Sequence, residues 1–140
     1  MNGLLLLVRT PLRRYAVRRD DYTDARLVTC PEDLAAGDGP GRPYIGFELG
    51  ALLDPADRGG QGRRRALVVP LRRRKIALLV DRVEELLELP AVQPLPSLLH
   101  ERLSEPWVTG VLLVEGDIVL QLDLRAVARS ALLQSQATTT

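Results

Sequence analysis

The sequence predicts a mainly β protein made of two small antiparallel barrels, and three observations support this fold class. Apolar runs are short and bounded by turn-forming residues, a pattern typical of strands. Candidate helices are brief. The halves of the chain also repeat, because residues 13–28 align with residues 74–89 at a constant offset. Two packed barrels would bury such short strands without one large sheet.

The apolar runs predict a series of strands. They are Leu4–Arg9, Arg14–Arg18, Tyr44–Glu48, Ala66–Leu71, Ile76–Val83, Trp107–Val114 and Ile118–Leu122. Between the last two, Glu115, Gly116 and Asp117 predict a hairpin turn, since glycine readily adopts a positive φ. We expect Trp107 to be buried where its strand begins.

The helical segments are expected to be short. Asp123 is placed to cap a helix whose apolar residues share one face. That face consists of Leu124, Val127, Ala128, Ala131 and Leu132. Ser97 is placed to cap a second helix that extends to Leu103. Asp20 or Asp21 is placed to cap a single helical turn.

The repeat predicts the domain organisation. We expect one domain over residues 1–133, with a first barrel at roughly 1–58, a second barrel at roughly 63–133 and a disordered tail at 134–140. The Gly- and Pro-rich stretch 54–65 connects the halves.

One unit of the repeat is missing from the first half. The strand Trp107–Val114 should have a counterpart near residues 32–39, but that stretch has no strand pattern. We therefore expect the loop Pro31–Pro43 to be the most mobile internal segment of the fold.

Composition and charge exclude several classes of protein. The 140 residues carry 19 basic and 18 acidic side chains, a net charge of +1, whereas dedicated nucleic-acid binders carry a basic surplus. The apolar run Leu4–Val8 is too short for a signal peptide or a membrane span. We expect a cytoplasmic protein that does not insert into a membrane.

No catalytic or metal-binding motif is recognisable. Cys30 is the only cysteine and His100 the only histidine, so neither a disulfide nor a typical zinc site can form within the chain. The acidic pairs 20–21 and 84–85 are adjacent in sequence, and neighbouring strand residues point to opposite faces. We expect no enzymatic activity, no metal and no cofactor, and we expect Cys30 to be half-buried and unreactive.

Two basic clusters, 63–65 and 72–75, admit two interpretations. They resemble a nucleic-acid patch, or they form a solvated rim. If 66–71 and 76–81 pair as a hairpin, the clusters lie at its opposite ends and Arg63 lies across from Glu84. No aromatic side chains alternate with the cations to stack on bases, which favours the rim.

The segment Ile76–Val80 is apolar at every position, although a barrel strand needs only alternate residues inward. Its outer face packs against the other half of the chain, forms a docking surface for another protein, or does both, because two barrels side by side cannot cover each other completely. Val83, Leu86, Leu87 and Leu89 extend this apolar stretch.

Three segments stand out in the second half: RKIALLVDRVEELLEL (74–89), QPLP (93–96) and PWVTGVLLVEGDIVLQLDLRAVA (106–128). Together, and more weakly with residues 13–28 and YIGFELGALL (44–53), they resemble the CheW family of chemotaxis coupling proteins. It implies two intertwined, five-stranded SH3-like barrels without enzymatic activity. It also implies partners: a CheA-type histidine kinase, through that kinase's own CheW-like regulatory domain, and the cytoplasmic tip of chemoreceptors.

The resemblance assigns two binding surfaces. The family's kinase-contacting stretch falls on Tyr22, Asp24 and Ala25, and one wall of its receptor-contacting groove falls on Ala77, Val83 and Leu86. The other wall falls on Gly50. There the family's Asp-Leu-Arg is replaced by Glu48-Leu49-Gly50, so the arginine associated with receptor coupling is absent, while Arg125 holds the equivalent position in the second half.

Two alternatives remain open at this point. One is a divergent adaptor of another motility or CheA-type pathway that does not bind classical receptors. The other is an SH3-like barrel that binds nucleic acid through its basic hairpin tip.

Overall fold

Strands and short helices alternate along the chain in the computed structural model, which describes residues 4–54, 56–57, 64–88 and 107–137. The strands are β1 (Leu4–Arg9), β2 (Arg14–Arg18), β3 (Asp24–Val28), β4 (Tyr44–Glu48), β5 (Arg64–Pro70), β6 (Lys75–Val80), β7 (Arg82–Glu88), β8 (Val108–Val114) and β9 (Asp117–Leu122). The helices are α1 (Pro31–Ala36), α2 (Leu49–Leu53) and α3 (Leu124–Ala137), and a 3-10 turn spans Arg19–Asp21. The predicted helix Ser97–Leu103, with His100, lies outside the described residues.

Most predicted strands are present. β1, β2 and β4 have the predicted bounds, β8 and β9 each differ by one residue at the start, and β5 begins two residues and ends one residue before its predicted bounds. The single strand predicted over Ile76–Val83 is wrong, because the chain turns at Asp81 and continues as the separate strand β7. The strand β3 was not predicted; most of its residues are exposed, so it lacks an apolar run.

The strands form two sheets, and each sheet combines both halves of the repeat. The first sheet has the order β7-β1-β2-β9-β8, and the second has the order β3-β5-β6-β4. The two halves therefore exchange strands, as an intertwined arrangement requires: β3 and β4 join second-half strands, and β7, β8 and β9 join first-half strands. The second sheet has four strands in the described part of the chain, one fewer than expected.

The sheets are mixed rather than purely antiparallel. β2 runs parallel to β9, with Tyr15 opposite Leu120, and β4 runs parallel to β6, with Tyr44 opposite Lys75. Parallel neighbours need a long crossover between them. Here the intertwining of the two halves supplies that crossover, and the mainly β, two-sheet fold class stands.

The largest buried cluster, called here the central cluster, takes side chains from both sheets and from α3. Because strand side chains alternate, Leu6 and Val8 of β1 enter the central cluster while Leu5 and Leu7 enter a second cluster within the first sheet. Trp107 is 7% exposed and belongs to the central cluster, which confirms its predicted burial.

The apolar strand β6 is buried on both faces. Ile76, Leu78 and Val80 enter the central cluster, and Ala77 enters the separate cluster of the second sheet. The other half of the same chain therefore covers Ile76–Val80, and the alternative interpretation of this segment as a docking surface is wrong.

The segment Pro31–Pro43 contains a helix and is tied to its surroundings. The side chain of Asp33 accepts hydrogen bonds from the backbone N–H groups of Thr29 and Cys30, which closes the first turn of α1. Beyond the helix, the Tyr44 hydroxyl donates to Asp38 at 2.5 Å, and Lys75 pairs with the same carboxylate. These contacts argue against the expectation of a mobile loop. As expected, the segment contains no strand equivalent to β8.

Helix α3 begins as predicted. The carboxylate of Asp123 accepts the N–H of Ala126 at 3.1 Å, and the predicted apolar face is buried from Leu124 through Ala131, with Leu132 half-buried. The helix continues to Ala137, so residues 134–137 are helical and not part of a disordered tail. None of the described helices is long and apolar enough to span a membrane.

Candidate docking surfaces

Tyr22, the expected anchor for a kinase, is part of the core. It follows the 3-10 turn, is 6% exposed and packs in the central cluster. The guanidinium of Arg19 lies 4.7 Å from the centre of its ring, and burial raises the pKa of the Tyr22 hydroxyl. A side chain this deeply buried positions the neighbouring strand and offers little area to a partner.

Asp24 and Ala25 lie on β3, an edge strand of the second sheet. Asp24 is exposed and pairs with Arg26 on the same strand at 3.1 Å, whereas Ala25 is half-buried against the central cluster. Leu27 is 47% exposed on this strand. An edge strand with an accessible charge and an accessible apolar side chain can pair with another protein.

The structure does not bring the four expected receptor-contacting residues onto one surface. Ala77 is fully buried in the second sheet, and Gly50 is buried at the start of α2. Val83 and Leu86 lie on β7 of the first sheet, in register with Val8 and Leu6 of β1, and Val83 is half-buried against the central cluster.

Gly50 is in contact with a buried carboxylate. A Cβ at position 50 would lie 2.5–2.9 Å from the carboxylate atoms of Asp57, which is 0% exposed and accepts a hydrogen bond from the hydroxyl of Thr10. The nearby hydroxyl of Tyr15 has its pKa raised to about 12 by burial, against the opposing charge of Arg13. An arginine at position 50, as the family resemblance implies, would have to displace the hydrogen-bonded side chains of Asp57 and Thr10.

A cluster of ion pairs around the buried Arg64 joins the two halves. Arg64, which is 7% exposed, pairs with Glu48 at the end of β4 and with Asp81 at 3.3 Å. The hairpin register differs from the predicted one: Arg65 lies opposite Val80, which places Arg64 beside Asp81. Glu84, expected opposite Arg63, instead pairs with Arg14 at 3.0 Å.

The most accessible apolar face is on the β8–β9 hairpin and was not predicted. Leu113 and Ile118 are cross-strand partners, 71% and 68% exposed. Leu12 in the β1–β2 turn is 56% exposed and lines the same cleft as Ile118. These three residues are called here the hairpin patch. β8 is also an edge strand of the first sheet.

A sequence signal for this patch exists. The run Val111–Val114 is apolar at every position, as Ile76–Val80 is. Leu112 and Val114 fill the core of the first sheet, which leaves Leu113 outside. What the sequence does not reveal is that the second apolar face of β6 is covered and that of β8 is open.

Groups with possible chemistry are sparse in the described part of the chain. Cys30 is exposed rather than half-buried, and a hydrogen bond with Glu32, together with local desolvation, raises the pKa of its thiol, which keeps it protonated. Among the described residues, no three potential metal ligands cluster.

The accessible features of this two-sheet β domain are exposed apolar and charged side chains on edge strands, which are typical of interaction domains. Residues 44–132 match the family model of the CheW-like domain, and the chain belongs to the CheW family. It carries the scaffold or adaptor domain of that family.

A crystal structure of the scaffolding protein TtCheW from Thermoanaerobacter tengcongensis is similar in fold. The match has a TM-score of 0.65 and 17% sequence identity, and it covers 89% of this chain and 86% of that chain. The comparison with curated proteins gives no match.

Proposed function

We propose that this chain is a non-enzymatic, cytoplasmic adaptor of a chemotaxis-type pathway that binds a CheA-type histidine kinase and couples it to chemoreceptors. Membership of the CheW family supports the general role of scaffold. The coupling partners follow from what that family does.

The observation that carries the proposal is the hairpin patch. Two large aliphatic side chains about two-thirds exposed, side by side on an edge hairpin, cost solubility unless another protein covers them. Covering them would contribute about 2–4 kcal/mol before the costs of association, since full burial of one such side chain contributes about 1.5–3 kcal/mol. That contribution is enough to make Leu113 and Ile118 central contacts of an interface.

A CheW-like domain in the kinase is a suitable partner for such a patch. The regulatory domain of CheA-type kinases has the same barrels, so a hairpin of this chain can pack against the related edge of the kinase. Asp24 on the other exposed edge, β3, is proposed as a rim contact. Tyr22 packs in the central cluster and so positions β3, and Ala25 contributes a smaller, half-buried surface.

Receptor coupling is proposed to use β7 rather than the whole set of expected residues. Val83 and Leu86 share this edge strand of the first sheet. Gly50 and Ala77 are buried, so any effect of changing them on receptor binding would be indirect. The missing arginine at position 50 favours a weaker or altered receptor contact.

The test is a binding assay with the CheA-type kinase of the same organism. Leu113→Thr/Ile118→Thr retains the strand preference for β-branched residues and should weaken kinase binding at least about tenfold, whereas the control Leu133→Gln should not. Leu133 is 66% exposed on α3, so it matches the patch in exposure.

Two further variants separate the surfaces. Asp24→Arg should alter the association rate and its salt dependence, as expected for a rim charge. Val83→Asp should spare kinase binding and reduce binding to a receptor-tip fragment. If the wild-type chain binds neither partner, or if all variants bind the kinase equally, the proposed function is wrong.

A further inference from the structure

Five arginines surround one cleft at the junction of the β5–β6 turn and α3. Arg72, Arg73 and Arg74 form the turn, and Arg125 and Arg129 project from the helix. All five are exposed. The cleft has a volume of about 650 Å³, and its remaining lining is apolar: Pro70, Leu71 and Leu132. It is called here the basic cleft.

Within the described part of the chain, these arginines have no carboxylate partner in an ion pair. Every ion pair found there involves other cations: Arg9, Arg13, Arg14, Arg26, Arg64 and Lys75. The carboxylates of Asp21 and Asp123 line a neighbouring cleft with Arg125 and Arg129, not the basic cleft itself. A chain with a net charge of only +1 thus concentrates five cations around one cleft, while the carboxylates of Asp21, Asp38 and Asp123 lie in the two adjoining clefts.

The lining favours one kind of anion. Close guanidinium groups repel each other and raise the local potential, so a multivalent anion binds there most favourably. The planar guanidinium group of arginine can donate two parallel hydrogen bonds to one carboxylate. The floor of Pro70, Leu71 and Leu132 accepts an aliphatic side chain, and no described aromatic residue lines the cleft to stack on a base.

We propose that the basic cleft binds an acidic segment of a partner protein in which carboxylates alternate with a leucine-like side chain. The carboxylates contact Arg72–Arg74 on one wall and Arg125 and Arg129 on the other, and the apolar side chain lies on Leu71 and Leu132. Arg125 follows the end of β9, whereas Leu113 and Ile118 flank its start. The basic cleft is therefore a surface separate from the hairpin patch, and the proposal does not rest on kinase binding at that patch.

The experiment is an anisotropy titration of the full chain with a short, fluorescein-labelled peptide of glutamate residues interrupted by leucine. Arg125→Gln/Arg129→Gln should weaken binding about tenfold, the equivalent of about 1.4 kcal/mol. Both positions are exposed on α3 and glutamine is a good helix former, so folding should be retained. Arg73→Gln/Arg74→Gln in the turn should produce a similar loss and serves if the helix variant fails to fold.

The matched control is Arg65→Gln/Arg82→Gln, which removes two exposed arginines that do not line the cleft and should change affinity less than about twofold. An all-glutamate peptide of equal length should bind more weakly than the leucine-containing one. Equal losses in the cleft and control variants, or no saturable binding at all, would overturn the proposal. So would tighter binding of a single-stranded oligonucleotide of equal charge, which would assign the cleft to nucleic acid.

Discussion

At the scale of single residues, the contact between Gly50 and Asp57 favours glycine at a position where the resemblance to the family implies arginine. We expect Gly50→Ala to lower the free energy of unfolding by about 1–2 kcal/mol. Overpacking costs about 1–3 kcal/mol, and the better helix propensity of alanine returns at most about 1 kcal/mol. The buried carboxylate of Asp57 cannot move freely, because it accepts the hydroxyl of Thr10. Urea denaturation measures the loss.

The same contact provides its own control. In an Asp57→Ser background, the side chain that obstructs position 50 is shorter. Only the better helix propensity of alanine should then affect the free energy of unfolding, so Gly50→Ala should become neutral or stabilising. An equal loss in both backgrounds would mean that the carboxylate is not the obstacle.

The tyrosines predict how stability changes at alkaline pH. Burial raises the pKa of Tyr15 to about 12, and burial together with the hydrogen bond to Asp38 raises the pKa of Tyr44 to about 12. An unfolded tyrosine ionises near pH 10. The stability from these groups is therefore complete below about pH 10 and is lost as the pH rises towards 12.

Tyrosinate absorbance measures this directly. The native chain should show little ionisation near pH 10, where Tyr22 is also protected by burial, and the absorbance should then rise together with unfolding followed by circular dichroism. Tyr44→Phe should reduce the alkaline loss of stability. A normal, independent titration of the tyrosines near pH 10 with the fold intact would contradict the burial described here.

The burial of single residues could be predicted from the sequence only where a local pattern was sufficient. Trp107 begins an apolar run, and its burial follows from that run. The positions of Tyr22 and Gly50 relative to a surface depend instead on residues far away in sequence, such as Asp57, so a family resemblance assigned them to binding sites without revealing that they are buried.

At the scale of elements, two carboxylates accept backbone N–H groups at the start of α3: Asp21 accepts the N–H of Leu124 at 3.3 Å, and Asp123 caps the first turn. Asp123 accepts the N–H of Ala126 and, through its own N–H, donates to the carbonyl of Trp107 at 2.7 Å. Asp123→Ala should cost about 1 kcal/mol of stability, because the first turn of the helix loses its cap. Asp123→Asn retains the acceptor oxygen and should cost only a few tenths of that amount. Equal costs in thermal or urea melts would show that another group caps the helix.

Elements were predictable in proportion to their apolar periodicity. β1 and β2 are bounded by turn residues, lie in the interior of the first sheet and bury most of their side chains, so their bounds follow from sequence. β4 is an edge strand in which only Tyr44 is buried, and its start follows from the proline before it. β3 is an exposed edge strand formed by pairing with β5, and α1 is stabilised by the capping carboxylate of Asp33. Neither feature produces an apolar pattern. The run from β6 into β7 lacks a glycine or proline where the chain turns, at Asp81.

At the scale of the whole molecule, the repeat alone does not determine which strands pair. It predicts two similar units, and the simplest arrangement closes each unit on itself. The structure exchanges strands instead, so that Arg64 of β5 meets Glu48 of β4 and the central cluster draws on both halves. Long-range pairing of this kind is set by the complete core and has no local signature.

The exchange of strands predicts that neither half of the chain folds alone. Fragments 1–60 and 61–140 should each give the circular dichroism of an unfolded chain, because each would leave its strands without the partners that complete their sheets. Mixed in equal amounts, they should recover β structure and melt cooperatively, at a temperature that rises with concentration because folding is then bimolecular. As a control, Arg64→Met in fragment 61–140 should weaken reassembly, since it leaves Glu48 without its cation, whereas Arg65→Met should not. A cooperative melt of fragment 1–60 by itself would contradict the intertwined topology and restore the model of two self-contained barrels.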